Sequence, residues 1–249
     1  LFSALWVLGG LLALAGALSL AELAAAFPES GGYYAYLRES WGRRTAFLFG
    51  WTQLVLLRAS AIGGIALACG QYTLRMLGID PASHAVTAEL VSAAAIVVAA
   101  GANIIGARLG ALIVNASTSA KFVALVGLAL LALTLGAAHG GRTAHFGTSA
   151  PVAVGSFGLA LVSVLWAYDG WGDVSFAGGE VTHPQRTLPR AIIGGTLAVI
   201  AAYVLVNVGY VYVLSMPSVA SSPLVAAETM TRIIGPGAAA LVSLLVAVS

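Results

Sequence analysis

Charge is what this sequence lacks most. Only 8% of its 249 residues are Asp, Glu, Lys or Arg, about a third of what a soluble domain carries. So little charge cannot cover a globule with a wetted surface, which excludes a soluble enzyme or a nucleic-acid binder. The 11 basic and 9 acidic residues nearly balance, leaving no basic field for a polyanion. The single cysteine, Cys69, rules out an intrachain disulfide framework and a cysteine-based zinc site. The four histidines lie between the apolar runs and supply no His–Glu metal pair on one helix face. No glycine-rich phosphate loop ending in Lys-Ser/Thr occurs, nor a Gly-x-Ser-x-Gly nucleophile motif. We therefore expect no cofactor, no metal and no enzymatic chemistry.

Apolar length is what the sequence has in excess. Hydrophobic residues make up 60% of the chain and the mean hydropathy is +0.98. A bilayer core takes about 20 mostly apolar residues as helix. Six stretches qualify, at 1–26, 45–74, 86–104, 115–138, 155–178 and 190–215, and a seventh begins at 235. Their apolar content is continuous rather than alternating, so the expectation is an all-α integral membrane protein and not a β-barrel. Glycine and proline mark the connections at Phe27–Gly32, Gly78–Pro81, Gly140–Gly141, His183–Pro189 and Met216–Pro223. The run at Leu1 has no basic region before it and does not read as a signal peptide. Both ends fall inside apolar runs, so we expect one transmembrane domain over 1–249 that is part of a longer membrane protein.

Arginine sets the orientation. One set of alternate connections holds Arg38, Arg43, Arg44, Arg108, Arg186 and Arg190, and the other holds Arg75, Arg142 and Arg232. The richer set belongs in the cytoplasm. The first stretch then runs from outside to inside.

Polar residues inside apolar stretches point to function, because a charge at a helix centre costs about 2.5–3.5 kcal/mol on insertion scales. The densest group is Trp166-Ala167-Tyr168-Asp169-Gly170-Trp171-Gly172-Asp173, midway along 155–178. Each glycine weakens a helix by about 1 kcal/mol relative to alanine. An unwound turn here frees backbone groups, which a membrane tolerates only where they line a cavity. A continuous helix would instead place Trp166, Asp169 and Asp173 on one face, or leave the acids paired with a neighbouring cation. Paired acids also suggest an intramembrane protease, but that needs two separate helices and these share one. Lys121 lies in 115–138, about two turns from the cytoplasmic end, and either snorkels to the interface or is a buried ammonium. Arg58, central in 45–74, calls for an acidic or carbonyl partner, with Glu22, Asp169 and Asp173 as candidates. Glu22 lies one turn before Phe27-Pro28, and Gly106 and Gly110 have the spacing of tight helix packing.

These motifs carry a resemblance. Trp166–Trp171, followed by Gly179-Glu180-Val181-x-x-Pro184-x-Arg186-x-Leu188-Pro189-Arg190-Ala191-Ile192, resembles the sixth span and following loop of the L-type amino-acid transporters. That family belongs to the amino acid–polyamine–organocation superfamily. Ala21-Glu22-Leu23 with Phe27-Pro28-x-Ser30-Gly31-Gly32-x-Tyr34-x-Tyr36-Leu37 is similar to the end of its second span. Phe47-Leu48-x-Gly50-Trp51 with Arg58 resembles its third, and Asn103, Gly106-x-Arg108 and Ala120-Lys121 its fourth and fifth.

The resemblance implies a LeuT-type fold of two inverted five-helix repeats, with this chain holding spans two to seven and the start of eight. It implies a sodium-independent amino-acid exchanger or proton-linked permease of the cell membrane, working by alternating access. The substrate's amino group would meet carbonyls around Trp166, Ala167, Tyr168, Asp169, Gly170 and Trp171, with Trp166 as an aromatic gate. Lys121 would stand in a sodium position of sodium-coupled relatives, and Asp173, Arg58 and Glu22 would gate or pack. The connection 75–86 has no cysteine, so no disulfide-linked heavy chain is expected. A polyamine or organic-cation carrier of the same fold and a non-transporting membrane sensor are the competing readings.

Overall fold

The computed structural model describes residues 2–105, 107–147, 154–222, 224–235, 237–238 and 242. Its regular structure is helical: α1 Phe2–Ala26, α2 Tyr33–Trp41, α3 Arg43–Thr52, α4 Arg58–Met76, α5 Ala85–Ile105, α6 Ala107–Leu135, α7 Val154–Ala167, α8 Pro184–Val213, α9 Met216–Ser221 and α10 Val225–Ile234. A π-helical turn, Gln53–Leu57, joins α3 to α4. Among the described residues, five helical stretches are long and apolar enough to cross a membrane: Phe2–Ala26, Arg43–Met76, Ala85–Ala102, Gly110–His139 and Pro184–Val213. The remaining stretch, 155–178, differs from the others: its α-helix stops after 14 residues. Gly106 and most of the stretch beginning at 235 lie outside the described residues.

Helix ends move for local reasons. The segment 184–189, expected as a connection, is the start of α8. Pro184 occupies the first helical position, where its missing N–H is no loss. The His183 carbonyl accepts the N–H groups of Arg186 and Thr187, both at 3.0 Å. Between α1 and α3, the expected connection contains α2, which Gly42 (φ 84°) separates from α3.

Packing gathers the chain into two units, Leu1–Leu56 with Ser149–Asn207 and Leu57–Thr148 with Val208–Ser249. In the first, α1 is apolar along nearly its whole length, with one side packed against its neighbours and Leu11, Leu12 and Leu18 exposed on the other. Its Ala17, Leu20, Ala21 and Ala24 pack with Ala35 and Tyr36 of α2 and Leu188 and Ile192 of α8. Small residues on α1 allow the close approach. A Cβ at Gly16 would lie 2.8 Å from the Trp171 ring, and one at Gly10 would lie 3.0 Å from Ile200. In the second unit, α4 and α5 form an antiparallel pair in which Gly70 packs against Ala88 and Ser92. Ala132, Val213, Leu214 and Ile233 make a separate core. The Tyr212 carbonyl there accepts the Arg142 N–H at 3.0 Å and lies 3.2 Å from His145 Nδ1.

Candidate functional site

The site is built where α7 ends. Ala167 is its last helical residue, Tyr168–Gly172 form a turn, and a 3-10 segment runs from Asp173 to Glu180. Gly170 sits at φ 106°, a conformation costly for any residue with a Cβ. The expected unwinding is therefore present, and no single face carries Trp166, Asp169 and Asp173.

The backbone bookkeeping shows what the turn releases. Tyr168 N–H donates to Val164 O at 3.1 Å, Asp169 N–H to Trp166 O at 3.2 Å, and Asp173 N–H to Gly170 O at 3.1 Å. Among the described residues, the carbonyls of Leu165, Ala167, Tyr168 and Asp169 receive no main-chain hydrogen bond. Such carbonyls at a helix C-terminus carry the negative end of its dipole.

The side chains divide by direction. Tyr168 is 4% exposed, and its hydroxyl donates to the main-chain carbonyl of Trp6 at 3.1 Å. Its ring stands 5.9 Å from that of Trp6, edge-on, and 5.3 Å from that of Tyr203, tilted. Trp171 packs against both apolar clusters of its unit. Trp166, by contrast, is 70% exposed. Asp169, Gly170 and Asp173 are exposed too, and Ala167 is half-buried. Two of the six expected substrate residues thus anchor the turn, while Trp166, Asp169 and Gly170 lie open.

The 3-10 segment is held by a contact that the sequence reading did not foresee. Residues Glu29–Gly32, between α1 and α2, and Tyr33, the first residue of α2, lie along it. Gly31 N–H donates to Phe176 O at 3.1 Å, and Gly179 N–H donates to the Ser30 hydroxyl at 3.2 Å. Glycines make the approach possible on both sides. A Cβ at Gly32 would lie 2.5 Å from Ser175 Oγ, and one at Gly178 would lie 2.8 Å from the Glu29 carbonyl. A Cβ at Gly172 would collide with the Tyr33 hydroxyl. Ser175 is 1% exposed, and its hydroxyl donates to Gly172 O at 2.6 Å. Tyr33 packs against Phe176 with ring centroids 6.0 Å apart. Burial pushes the nearby Tyr36 phenol above its ordinary pKa, the Ser175 hydroxyl acting in the opposite sense. On the outer side of the loop, Arg38 pairs with Glu29 at 2.6 Å and with Glu39 at 2.9 Å. The legible signal was the Ser30-Gly31-Gly32 run itself, which reads as a breaker and not as a contact.

The other expected residues occupy different places. Glu22 is exposed on α1 and lines an open cavity of about 370 Å³ with Ser19, Pro189 and Ile193. Arg58 is half-buried at the start of α4, in the second unit. Lys121 is half-buried in α6, also in the second unit. The helix starts at Ala107 rather than near 115, so Lys121 is not two turns from its end. It lies about 21 Å from that end at 1.5 Å per residue. No group of three or more His, Cys, Asp and Glu is placed to hold a metal ion among the described residues.

Comparison with known proteins agrees with this architecture. The amino acid permease family matches residues 1–249. The b(0,+)-type amino acid transporter 1 of Homo sapiens is 35% identical over 248 residues, covering 98% of this chain and 50% of the relative. The serine/threonine exchanger SteT of Bacillus subtilis (strain 168) is 31% identical over 210 residues, 84% of this chain and 46% of the relative. The cystine/glutamate transporter of Homo sapiens is 31% identical over 234 residues, 93% and 46% respectively. The chain spans about half the length of the curated relatives it matches. A chain with five membrane-length apolar helices among its described residues, matched from end to end, is a multi-pass membrane protein that belongs to the amino acid permease family.

Proposed function

We propose that this chain is the substrate-holding part of a sodium-independent amino-acid transporter of LeuT-type fold in the cell membrane. The observation that carries the reading is the end of α7, where four main-chain carbonyls are without main-chain donors beside the exposed carboxylate of Asp169. Oriented carbonyls and one formal negative charge suit a cation of ammonium size. Every α-amino acid carries one. The open Trp166 ring supplies an apolar lid for the same site. Tyr168 and Trp171, packed inward, keep the turn in place.

Two further features support the finer reading. Lys121 stands at the middle of a 29-residue helix, which favours a buried ammonium over a side chain that snorkels to the interface. A fixed ammonium there supplies a cation without sodium, as the resemblance implies. The grouping of α1, α7 and most of α8 in one packed unit suits a body that moves as a whole during alternating access. The relatives named as an exchanger and as transporters of amino acids make exchange the first mode to test.

The test is uptake of radiolabelled amino acids by the full-length protein in proteoliposomes, empty or preloaded, with and without sodium and a pH gradient. Uptake that needs internal amino acid and not sodium supports the exchanger. Uptake driven by the pH gradient into empty vesicles supports the proton-linked permease. Competition by putrescine and not by amino acids would replace the substrate class, and binding without flux would make the protein a sensor.

A further inference from the structure

We propose that the Glu29–Tyr36 segment is a positioning element for transport: it ties the end of α1 to the 3-10 segment beyond the substrate turn, so that the two move together. The inference rests on the transport reading above. It predicts an effect on the rate of the conformational step with little effect on substrate affinity.

Four observations converge. First, the two segments are joined by hydrogen bonds in both directions of contact, Gly31 N–H to Phe176 O and Gly179 N–H to Ser30 Oγ. Second, glycines face the partner backbone or side chain from both segments. Gly32 meets Ser175, Gly172 meets Tyr33, and Gly178 meets the Glu29 carbonyl. Interdigitated glycines leave no slack for sliding, because a well-packed contact is not continuously deformable. Third, the centre of the contact is dry: Gly32, Gly172 and Gly178 are buried and Ser175 is 1% exposed. Fourth, the 3-10 segment continues directly from Gly172, while the turn before it is held to α1 separately, by Tyr168 and Trp171. None of the contacting atoms belongs to the open face of Trp166 and Asp169. A loosened clasp therefore leaves the ligand groups in place while α1 and the 3-10 segment cease to move as one.

Ser30→Ala removes the acceptor for the Gly179 N–H, and Ser30→Thr keeps it. Gly178→Ala brings a methyl group against the Glu29 carbonyl, a main-chain atom that cannot rotate away. Each variant is made in the full-length protein with Cys69→Ser and Ala177→Cys, the latter at an exposed position of the 3-10 segment. Three quantities are read: equilibrium binding of the transported amino acid in detergent, exchange rate in proteoliposomes, and labelling of residue 177 by a membrane-impermeant maleimide.

The expected result is a fall in exchange rate of roughly two- to fivefold for Ser30→Ala, the effect of one modest hydrogen bond. The fall is about tenfold or more for Gly178→Ala. Binding stays within twofold, labelling of residue 177 quickens, and Ser30→Thr behaves as the parent. Unchanged rate and unchanged labelling in both Ser30→Ala and Gly178→Ala would overturn the inference and leave the transport reading standing. Loss of affinity in step with rate would also overturn it, since the segment would then form part of the ligand site. If the parent protein moves no amino acid, the transport reading fails. The labelling comparison then decides alone whether the clasp positions the 3-10 segment.

Discussion

The Tyr168 hydroxyl donates to the main-chain carbonyl of Trp6 at 3.1 Å, across 162 positions of sequence. This bond fixes the first residue of the turn to α1 and turns the aromatic ring away from the open face. Tyr168→Phe keeps the ring cluster and removes only the bond. Stability should fall by about 1 kcal/mol, read as a lower melting temperature of the solubilised protein. Amino-acid binding should stay within twofold. Tyr168→Ala also empties the space among Trp6, Val164 and Tyr203, and should cost about 3–5 kcal/mol.

Asp169 is the exposed carboxylate nearest the freed carbonyls in sequence. Asp169→Asn keeps the shape and deletes the charge. The KM for exchange should rise about tenfold or more, the size of a charged hydrogen bond. Asp173 opens the 3-10 segment, and its N–H already donates to Gly170 O at 3.1 Å. Asp173→Asn should change the KM less. Equal kinetics for both variants and the parent would remove the carboxylates from the mechanism.

Lys121→Ala and Lys121→Gln test the fixed cation. Uptake in sodium-free buffer should fall at least tenfold in both, from the loss of a charge interaction of about 1.5–3 kcal/mol. Lys121→Arg keeps the charge but carries a larger, planar group, and should not restore it fully. Full activity of the glutamine variant in choline buffer would refute the role.

Gly70 and Gly63 separate packing from helix preference. A Cβ at Gly70 would collide with the Ala88 carbonyl and the Ser92 hydroxyl, whereas one at Gly63 would meet nothing within 4 Å. Gly70→Ala should destabilise by about 1–3 kcal/mol through overpacking. Gly63→Ala should leave the melting temperature unchanged or raise it.

Asp80 gives a pH-dependent test outside the membrane-spanning segments. Its carboxylate accepts the Ala82 N–H at 3.2 Å and the Ser83 N–H at 3.3 Å. These bonds, the Ala82 one first, hold its pKa below the ordinary carboxylate value. A depressed folded-state pKa stabilises above the unfolded value, and the contribution is lost as pH falls through the folded one. Amide protection over 82–83 should therefore be weaker in Asp80→Ala at neutral pH. The difference should vanish only below the usual carboxylate range.

Much of the fold was legible because glycine and proline end helices for simple steric reasons. The breaks after Ala26 and Leu135 and around Gly170 fall where those residues cluster. Short amphipathic elements were not legible in the same way. In α10, Ala227, Met230 and Ile233 face inward while Glu228 and Arg232 do not, a pattern that a 20-residue apolar window averages away. The start of α6 was misplaced because Arg108 read as part of a connection, yet arginine does not break a helix. For the site, the composition of Trp166–Asp173 marked the place. Which rings turn inward depends on the Gly16 and Trp6 faces of α1, more than 150 positions away in sequence.

The bond from Gly179 to Ser30 spans 149 positions, and that separation has a consequence in time. At a synthesis rate of about 5–20 residues per second, roughly 7–30 s pass between the two residues. Throughout that interval the Ser30-Gly31-Gly32 loop has emerged while its partner has not. The 3-10 segment can settle against the loop only after α1 and the loop have been made, so assembly runs in one order. A nascent chain arrested just before Gly172 should present the glycine loop to protease, and the completed, released chain should not.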